Sequence, residues 1–272
     1  MPELPEVETT RRGIASHIIA QTIKSVIVRE KRLRWEVPDR LNKILPRQQV
    51  QEIRRRGKYL LIKCTLGHLI IHLGMSGNLR VLAADSPIKK HDHVDIVFTN
   101  GICLRYHDAR RFGCILWTSE PVLNHRLLVN LGIEPLETEL LGEYLHEHAH
   151  GRRMAVKQYI MNAQIIVGVG NIYANEALFL TGIHPTQSAG SLNLEHYQRL
   201  ADNIKQILNQ AIKMGGTTLR DFTDSSGNPG YFSQRLQVYG RAGLDCVQCG
   251  NTIELQKIGQ RATYYCPVCQ HK

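Results

Sequence analysis

Apolar residues are distributed differently in the two halves of the chain. In residues 5–20, Val7, Ile14 and Ile18 recur at helical spacing and Glu6 and Glu8 occupy the first turn, which predicts an opening helix. The pattern then breaks into short β-branched runs at residues 25–28, 59–65, 68–73, 94–98, 102–106 and 114–117. Turn residues separate them, notably Gly67, Gly74-Met75-Ser76-Gly77-Asn78 and Asn100-Gly101. Many short strands at this spacing predict a sandwich or flattened barrel. From Pro121 the period is helical, with helices predicted over residues 124–130, 140–148, 152–161, 171–180 and 194–214. Residues 215–231, rich in Gly, Thr, Ser and Asp, read as a flexible loop, and residues 241–272 form a separate cysteine-bearing module. The architecture expected is a multi-domain α+β protein: a β domain over residues 1–130, a helical domain over 131–240 and a small appendage over 241–272.

Composition narrows the partner. Lys and Arg outnumber Asp and Glu by 34 to 24, a net charge of +10, which points to a polyanion, with nucleic acid ahead of anionic lipid. No window approaches the roughly 18 consecutive apolar residues of a membrane span. The start, Pro2-Glu3-Leu4-Pro5-Glu6-Val7-Glu8, is acidic and prolyl, unlike a secretory leader or an arginine-rich transit peptide, so a cytoplasmic location is the expectation.

Of seven cysteines, Cys64, Cys103 and Cys114 stand alone in apolar stretches, whereas Cys246, Cys249, Cys266 and Cys269 form two tight pairs. Two C-x2-C turns facing each other supply the tetrahedral thiolate set that Zn²⁺ prefers, and four sulfur ligands make the ion structural. An iron–sulfur or redox dithiol site is the other reading of such pairs. The module also carries Lys257, Arg261, Tyr264 and Tyr265, a composition suited to nucleic acid.

Other segments read two ways. Val167-Gly168-Val169-Gly170-Asn171-Ile172-Tyr173 is either a plain helix–helix turn or an anion site where glycine-bearing backbone opens a helix. Arg54-Arg55-Arg56-Gly57-Lys58 is a basic cluster entering a strand, the composition of a solvated loop or of a phosphate contact. Asp108-Ala109-Arg110-Arg111-Phe112-Gly113 sets guanidinium forks beside an aromatic ring, which suits phosphate contact and base stacking. His91 reads as a metal ligand, a phosphate contact or a strand-end histidine, and Met75 as core filler. With Met1 removed, Pro2 presents a secondary α-amine titrating near ~8, able to attack a carbon electrophile, with Glu3 beside it to move protons. The same residues also make an ordinary acidic terminus.

Taken in order, these segments resemble the bacterial formamidopyrimidine-DNA glycosylase family end to end. The motifs are Pro2-Glu3-Leu4-Pro5-Glu6-Val7-Glu8-Thr9, Arg56-Gly57-Lys58-Tyr59, His72-Leu73-Gly74-Met75-Ser76-Gly77, Lys90-His91-Asp92-His93 and Arg110-Arg111-Phe112-Gly113. Gly168 to Tyr173, Gly215-Gly216-Thr217-Thr218-Leu219-Arg220-Asp221 and the four-cysteine finger complete the set. The resemblance implies an N-terminal β-sandwich with an opening helix, a helix–two-turn–helix domain and a C-terminal zinc-finger β-hairpin, with double-stranded DNA bound between the domains by a monomer.

It also implies a bifunctional glycosylase and abasic-site lyase acting on oxidised purines. Pro2 would attack C1′, Glu3 would assist sugar ring opening, Lys58 would serve β-elimination and Arg261 δ-elimination. Extruding a nucleotide costs a few kcal/mol and leaves a hole, which Met75, Arg110 and Phe112 would fill. His91, Arg111, Arg152 and Asn171 would grip phosphates, and residues 215–231 would cover the extruded base. Ala109 and Asn162 depart from the family's usual proline and aspartate without touching a proposed role, and Arg153 is as basic as its neighbour Arg152. Two rivals are an endonuclease VIII-like enzyme for oxidised pyrimidines and a zinc-finger DNA-binding protein without catalysis.

Overall fold

The computed structural model describes residues 2–217 and 231–271. The chain divides into two compact units, Met1–Asn130 with Met214–Tyr231, and Leu131–Lys213 with Phe232–Lys272.

The first unit opens with α1 (Leu4–Ile18), followed by β1 (Ile23–Val28), the one-turn helix α2 (Leu41–Ile44) and β2 (Val50–Arg56). It continues through β3 (Tyr59–Cys64), β4 (Gly67–His72), β5 (Asn78–Ala83), β6 (Asp92–Phe98), β7 (Ile102–His107) and β8 (Cys114–Thr118). The strands make two antiparallel four-stranded sheets, ordered β1-β6-β7-β5 and β2-β3-β4-β8. Leu60, Ile62, Leu69 and Ile71 from one sheet and Val94, Ile96, Phe98 and Leu104 from the other share one core with Val7, Ile14 and Ile18 of α1. This is the expected sandwich with its opening helix. Each such side chain contributes about 1.5–3 kcal/mol by leaving water.

Two strands escape the hydrophobic pattern. β2 buries only Val50, Ile53 and the turn beyond it, so its Gln-Glu and Arg-rich sequence looks like loop; Arg54 to Arg56 lie within the strand rather than before it. β5 carries Arg80 mid-strand, where it pairs with the buried Asp92. Ion pairing replaces apolar contact at that position, and periodicity cannot register it.

The second unit contains α3 (Leu141–Ala149), α4 (Val156–Ile160), α5 (Asn171–Thr181), α6 (Leu194–Lys213), and the hairpin β9 (Glu254–Ile258) and β10 (Arg261–Tyr265). α6 packs Tyr197, Leu200, Ile204, Ile207, Leu208 and Ala211 against α3 and α5. No described helix is long and apolar enough to cross a membrane.

Two helix expectations are corrected. Residues 124–130 are not helical: a 3-10 turn at Val122–Asn124 gives way to turns in which His125 Nδ1 accepts the Leu127 N–H. A seven-residue segment is too short to repay nucleation, and the side chain offers the backbone an alternative. Residues 152–161 yield only α4, because the preceding residues are held extended. Ala155 bridges Ser188, and the Val156 N–H donates to the Gln187 carbonyl at 2.7 Å.

Where the chain approaches the hairpin, the buried Glu176 of α5 accepts the N–H groups of Gln237 (2.9 Å), Val238 (3.0 Å) and Tyr239 (2.7 Å). Burial raises its carboxyl above the usual range, against the pull of those three donors.

Candidate active site and metal centre

The N-terminus is held by its own helix. Glu3 is the N-cap of α1 and forms a reciprocal capping box with Glu6, whose Oε2 accepts the Glu3 N–H at 2.7 Å. The other oxygen of Glu6 accepts the N–H of Thr217, also at 2.7 Å. Gly216 (φ +84) lets this backbone come close, since a Cβ there would sit 3.0 Å from Glu6 Oε1. Thr217 in turn bridges Tyr231, and the Tyr231 N–H donates to the Met214 carbonyl, so the two ends of the segment 215–231 are joined. Its residues 218–230, expected to cover the extruded base, lie outside the described residues.

Both Glu6 oxygens accept N–H donors, so an amide cannot replace the carboxylate without turning its NH2 toward one of them. Glu6→Gln is therefore expected to lower stability by about 1–3 kcal/mol, read as a reduced denaturant midpoint. An unchanged midpoint would show that these bonds carry no net stability.

Lys58 lies in the turn between β2 and β3. This turn is tied to α1 through Arg55, whose Nε lies 3.4 Å from Glu8 Oε2. Burial pushes the Glu8 carboxyl up, but hydrogen bonds from Arg11 and Arg12 and the charge of Arg55 outweigh it and hold the group below its usual range. Thus Pro2, Glu3 and Lys58 belong to elements packed on one another, α1 against β2 and β3. His72 pairs with Tyr59 across β3 and β4, and the two rings meet at 4.8 Å with planes tilted by 51°. Burial, with the charges of Lys58 and Arg34, lowers His72 to about 4, so it is neutral at pH 7. Its Nδ1 accepts the Gly74 N–H, which leaves Nε2 as the donor.

Met75, Arg110 and Phe112 are brought together by a buried carboxylate. Asp108, fully buried, accepts Ser76 Oγ (2.7 Å), the Tyr106 hydroxyl (3.2 Å) and the Gly113 N–H (2.9 Å). Ser76 Oγ also accepts the Arg110 N–H at 3.0 Å, so the Met75 turn and the 108–113 loop are clasped. Gly74 (φ +63) permits the approach, because a Cβ there would collide with the Phe112 backbone. Phe112 remains 44% exposed with the Arg110 guanidinium 5.0 Å over its ring: an exposed aromatic presented on a rigid loop.

An open cavity of about 570 Å³ beside it is lined by Arg32, Arg34, Arg110, Arg111 and Phe112. Arg32 and Arg34 were not singled out from sequence, where they belong to a charge run resembling a solvated loop. Glu30, held down to about 2 by hydrogen bonds from Arg32 and by the charge of Arg111, fixes that rim. His91 adopts a left-handed backbone (φ +73) between β5 and β6, and its carbonyl accepts the Asp108 N–H at 3.1 Å.

In the second unit, Gly170 is the N-cap of α5 and Asn171 its first residue. Asn171 Nδ2 donates to the Ala262 carbonyl (3.0 Å), and the buried Lys157 donates to that carbonyl (2.9 Å) and to Thr263 Oγ1 (2.7 Å). Asn171 is thereby set beside exposed Arg261, which begins β10. Lys157 was missed in the sequence reading; its partners lie more than 100 residues away. Arg152 is engaged locally: its Nε donates to the His148 carbonyl at 2.6 Å and its guanidinium lies over Tyr159, whereas Arg153 is exposed.

The four cysteines bring their sulfurs within 4.8 Å of one another, with Cys246–Cys269 at 3.8 Å and Cys249–Cys266 at 3.5 Å. A tetrahedral zinc–thiolate site with bonds of about 2.3 Å has sulfur–sulfur edges of about 3.8 Å, so the set fits Zn²⁺. The N–H groups of Gln248 and Cys269 donate to Cys246 Sγ and Cys266 Sγ. Around them Ile253, Val238 and Phe179 of α5, with partly buried Tyr264, complete a small cluster. The chain holds one structural zinc at this centre.

Sequence comparisons agree with this geometry. Residues 1–115 match the Formamidopyrimidine-DNA glycosylase N-terminal domain, residues 131–223 its H2TH domain, and residues 243–272 the zinc finger found in FPG and IleRS. Relatives called formamidopyrimidine-DNA glycosylase include that of Methylococcus capsulatus, 57% identical over 99% of this chain and 100% of the relative. That of Nitrosococcus oceani is 56% identical over 100% of both chains.

Among solved structures, Lactococcus lactis FPG superposes with 36% identity in several complexes. A variant bound to DNA containing Fapy-dG gives a TM-score of 0.92 over 100% of both chains. The complex with abasic-site DNA gives 0.91 over 99% of this chain and 100% of the other, and one with DNA containing an oxidised pyrimidine gives 0.91 over 100% of both. The chain belongs to the formamidopyrimidine-DNA glycosylase family.

Proposed function

We propose that this chain is a bifunctional DNA glycosylase and abasic-site lyase of base excision repair, acting in the cytoplasm as a monomer on double-stranded DNA that contains oxidised purines or abasic sites. The observation that carries the reading is the N-terminus: a proline whose neighbour Glu3 caps α1 and is tied through Glu6 to the base of the 215–231 segment. With Met1 removed, the Pro2 nitrogen attacks C1′ as the glycosidic bond breaks and the base departs with its electron pair. Glu3 protonates the ring oxygen as the sugar opens to an iminium. Loss of the C2′ proton then expels the 3′ phosphate, with Lys58 serving this step, and Arg261 serves the second elimination at the 5′ side.

Met75, Arg110 and Phe112 occupy the space the nucleotide leaves. Phe112 supplies the wedge, Arg110 the hydrogen-bond fork for the orphaned partner base, and Met75 an adaptable thioether. His91, Arg111, Asn171 and Arg152 grip phosphates. Asn171 keeps a second N–H for this role beyond the one donated to Ala262, and Arg152, whose Nε donates to the His148 carbonyl, keeps its Nη donors for it. The division of labour follows residues 1–130 for chemistry, 131–240 for DNA binding and lesion cover, and 241–272 for the zinc hairpin.

The test is borohydride trapping on a duplex carrying 8-oxoguanine opposite cytosine. A covalent complex is expected. Adducts with oxidised pyrimidines alone would favour an endonuclease VIII-like specificity, and tight binding with no adduct would leave a non-catalytic DNA-binding protein.

A further inference from the structure

His91 is held in place by its neighbours rather than by a hydrogen bond of its own ring. Its ring meets His107 edge to face, with centroids 5.9 Å apart and planes at 82°, and meets His93 at 6.1 Å and 71°. Each flanking ring is itself anchored. His93 Nε2 donates to the Asp108 carbonyl at 2.7 Å, and His107 Nδ1 donates to Asp92 Oδ1 at 3.0 Å. A carboxylate only accepts, so the tautomer and plane of His107 are set by Asp92.

Asp92 is fixed in turn. It is buried, it pairs with Arg80, it accepts the Lys89 N–H at 2.8 Å, and it lies 3.6 Å from Arg105 Nη1. Arg105 is locked by a two-pronged bond to Asp95, which also holds Arg29. The His91 turn is a partly exposed end of this chain of charges, beside exposed Lys90 and Arg111.

We propose that His107 is a positioning residue for DNA binding: relayed from Asp92, it fixes the His91 ring in the orientation in which His91 meets a backbone phosphate. The inference rests on the DNA-repair reading above. A free imidazole on a left-handed turn would sample several rotamers and lose entropy on binding; a ring clamped by two anchored rings has lost that freedom in advance. An edge-to-face contact of this kind is worth about a three- to tenfold change in binding.

His107→Asn tests this, because its Nδ2 can take the place of Nδ1 on Asp92 while the ring is gone. Affinity for a lesion-bearing duplex is expected to fall about fivefold with an unchanged melting temperature. Single-turnover excision at saturating enzyme is expected to stay at the parent rate, since His91 touches no reacting atom. In a His91→Ala background, His107→Asn is expected to cost nothing further. Parent-like affinity for His107→Asn, or a loss that adds in full to that of His91→Ala, would overturn the proposal. If His107→Asn lowers the melting temperature, His107→Gln is measured in the same cycle and read by the same rule. A parent protein that fails to bind or be trapped on lesion DNA would instead sink the repair reading itself, so the two failures are distinct.

Discussion

A chain that keeps Met1 is expected to give no borohydride adduct and no strand cleavage, because the Pro2 nitrogen is then an amide with no nucleophilic lone pair. The processed chain, by contrast, carries a secondary amine that titrates near ~8, so trapping should rise with pH across the neutral range as the amine loses its proton. Glu3→Gln separates nucleophile from proton donor. The amide can still accept the N–H that closes the capping box, so the helix start survives, but it cannot deliver a proton. General acid assistance is worth about 10²–10⁴-fold, and excision should drop by that order while DNA affinity holds. Adduct formation by a Met1-retaining chain, checked by mass spectrometry of its N-terminus, would remove Pro2 from the mechanism altogether.

Stripping the metal is expected to have the second largest effect. The small cluster around Cys246, Ile253 and Cys266 cannot hold β9 and β10 by apolar burial, whereas a structural zinc contributes about 10–16 kcal/mol of apparent binding energy. Loss of the ion therefore unfolds the hairpin and takes away the Ala262 carbonyl and Thr263 hydroxyl on which the buried Lys157 depends. A buried ammonium that loses these two acceptors is costly, so the damage should spread to α4 and the start of α5. Chelation, or Cys266→Ser, is expected to abolish lesion-duplex binding in a mobility-shift assay, and added Zn²⁺ should restore the chelated protein at one ion per chain. Full binding by metal-free protein would show that the hairpin is dispensable.

Much of this could be read from the residues. The cysteine spacing identified the metal centre because ligand geometry is local, and the short β-branched runs identified six strands because those strands carry much of the buried apolar core. β2 and β5 were illegible for another reason: Arg54, Arg55 and Arg80 are engaged in ion pairs and backbone contacts, and charge in a strand carries no periodic signal. The family motifs named Met75, Arg110 and Phe112 but not what assembles them, because the Asp108 carboxylate and the Ser76 hydroxyl meet only after the sheets have formed. Lys157 and His107 were invisible on the same grounds. A helix lysine and a strand-end histidine look ordinary until the chain brings Ala262 to one and Asp92 to the other.

The two ends of the 215–231 segment meet at a closed base. Thr217 and Tyr231 are bonded to each other, and Glu6 fastens Thr217 to α1, the helix that follows Pro2. A change at Glu6, Gly216 or Thr217 is therefore felt both at the start of the N-terminal helix and at the base of the segment.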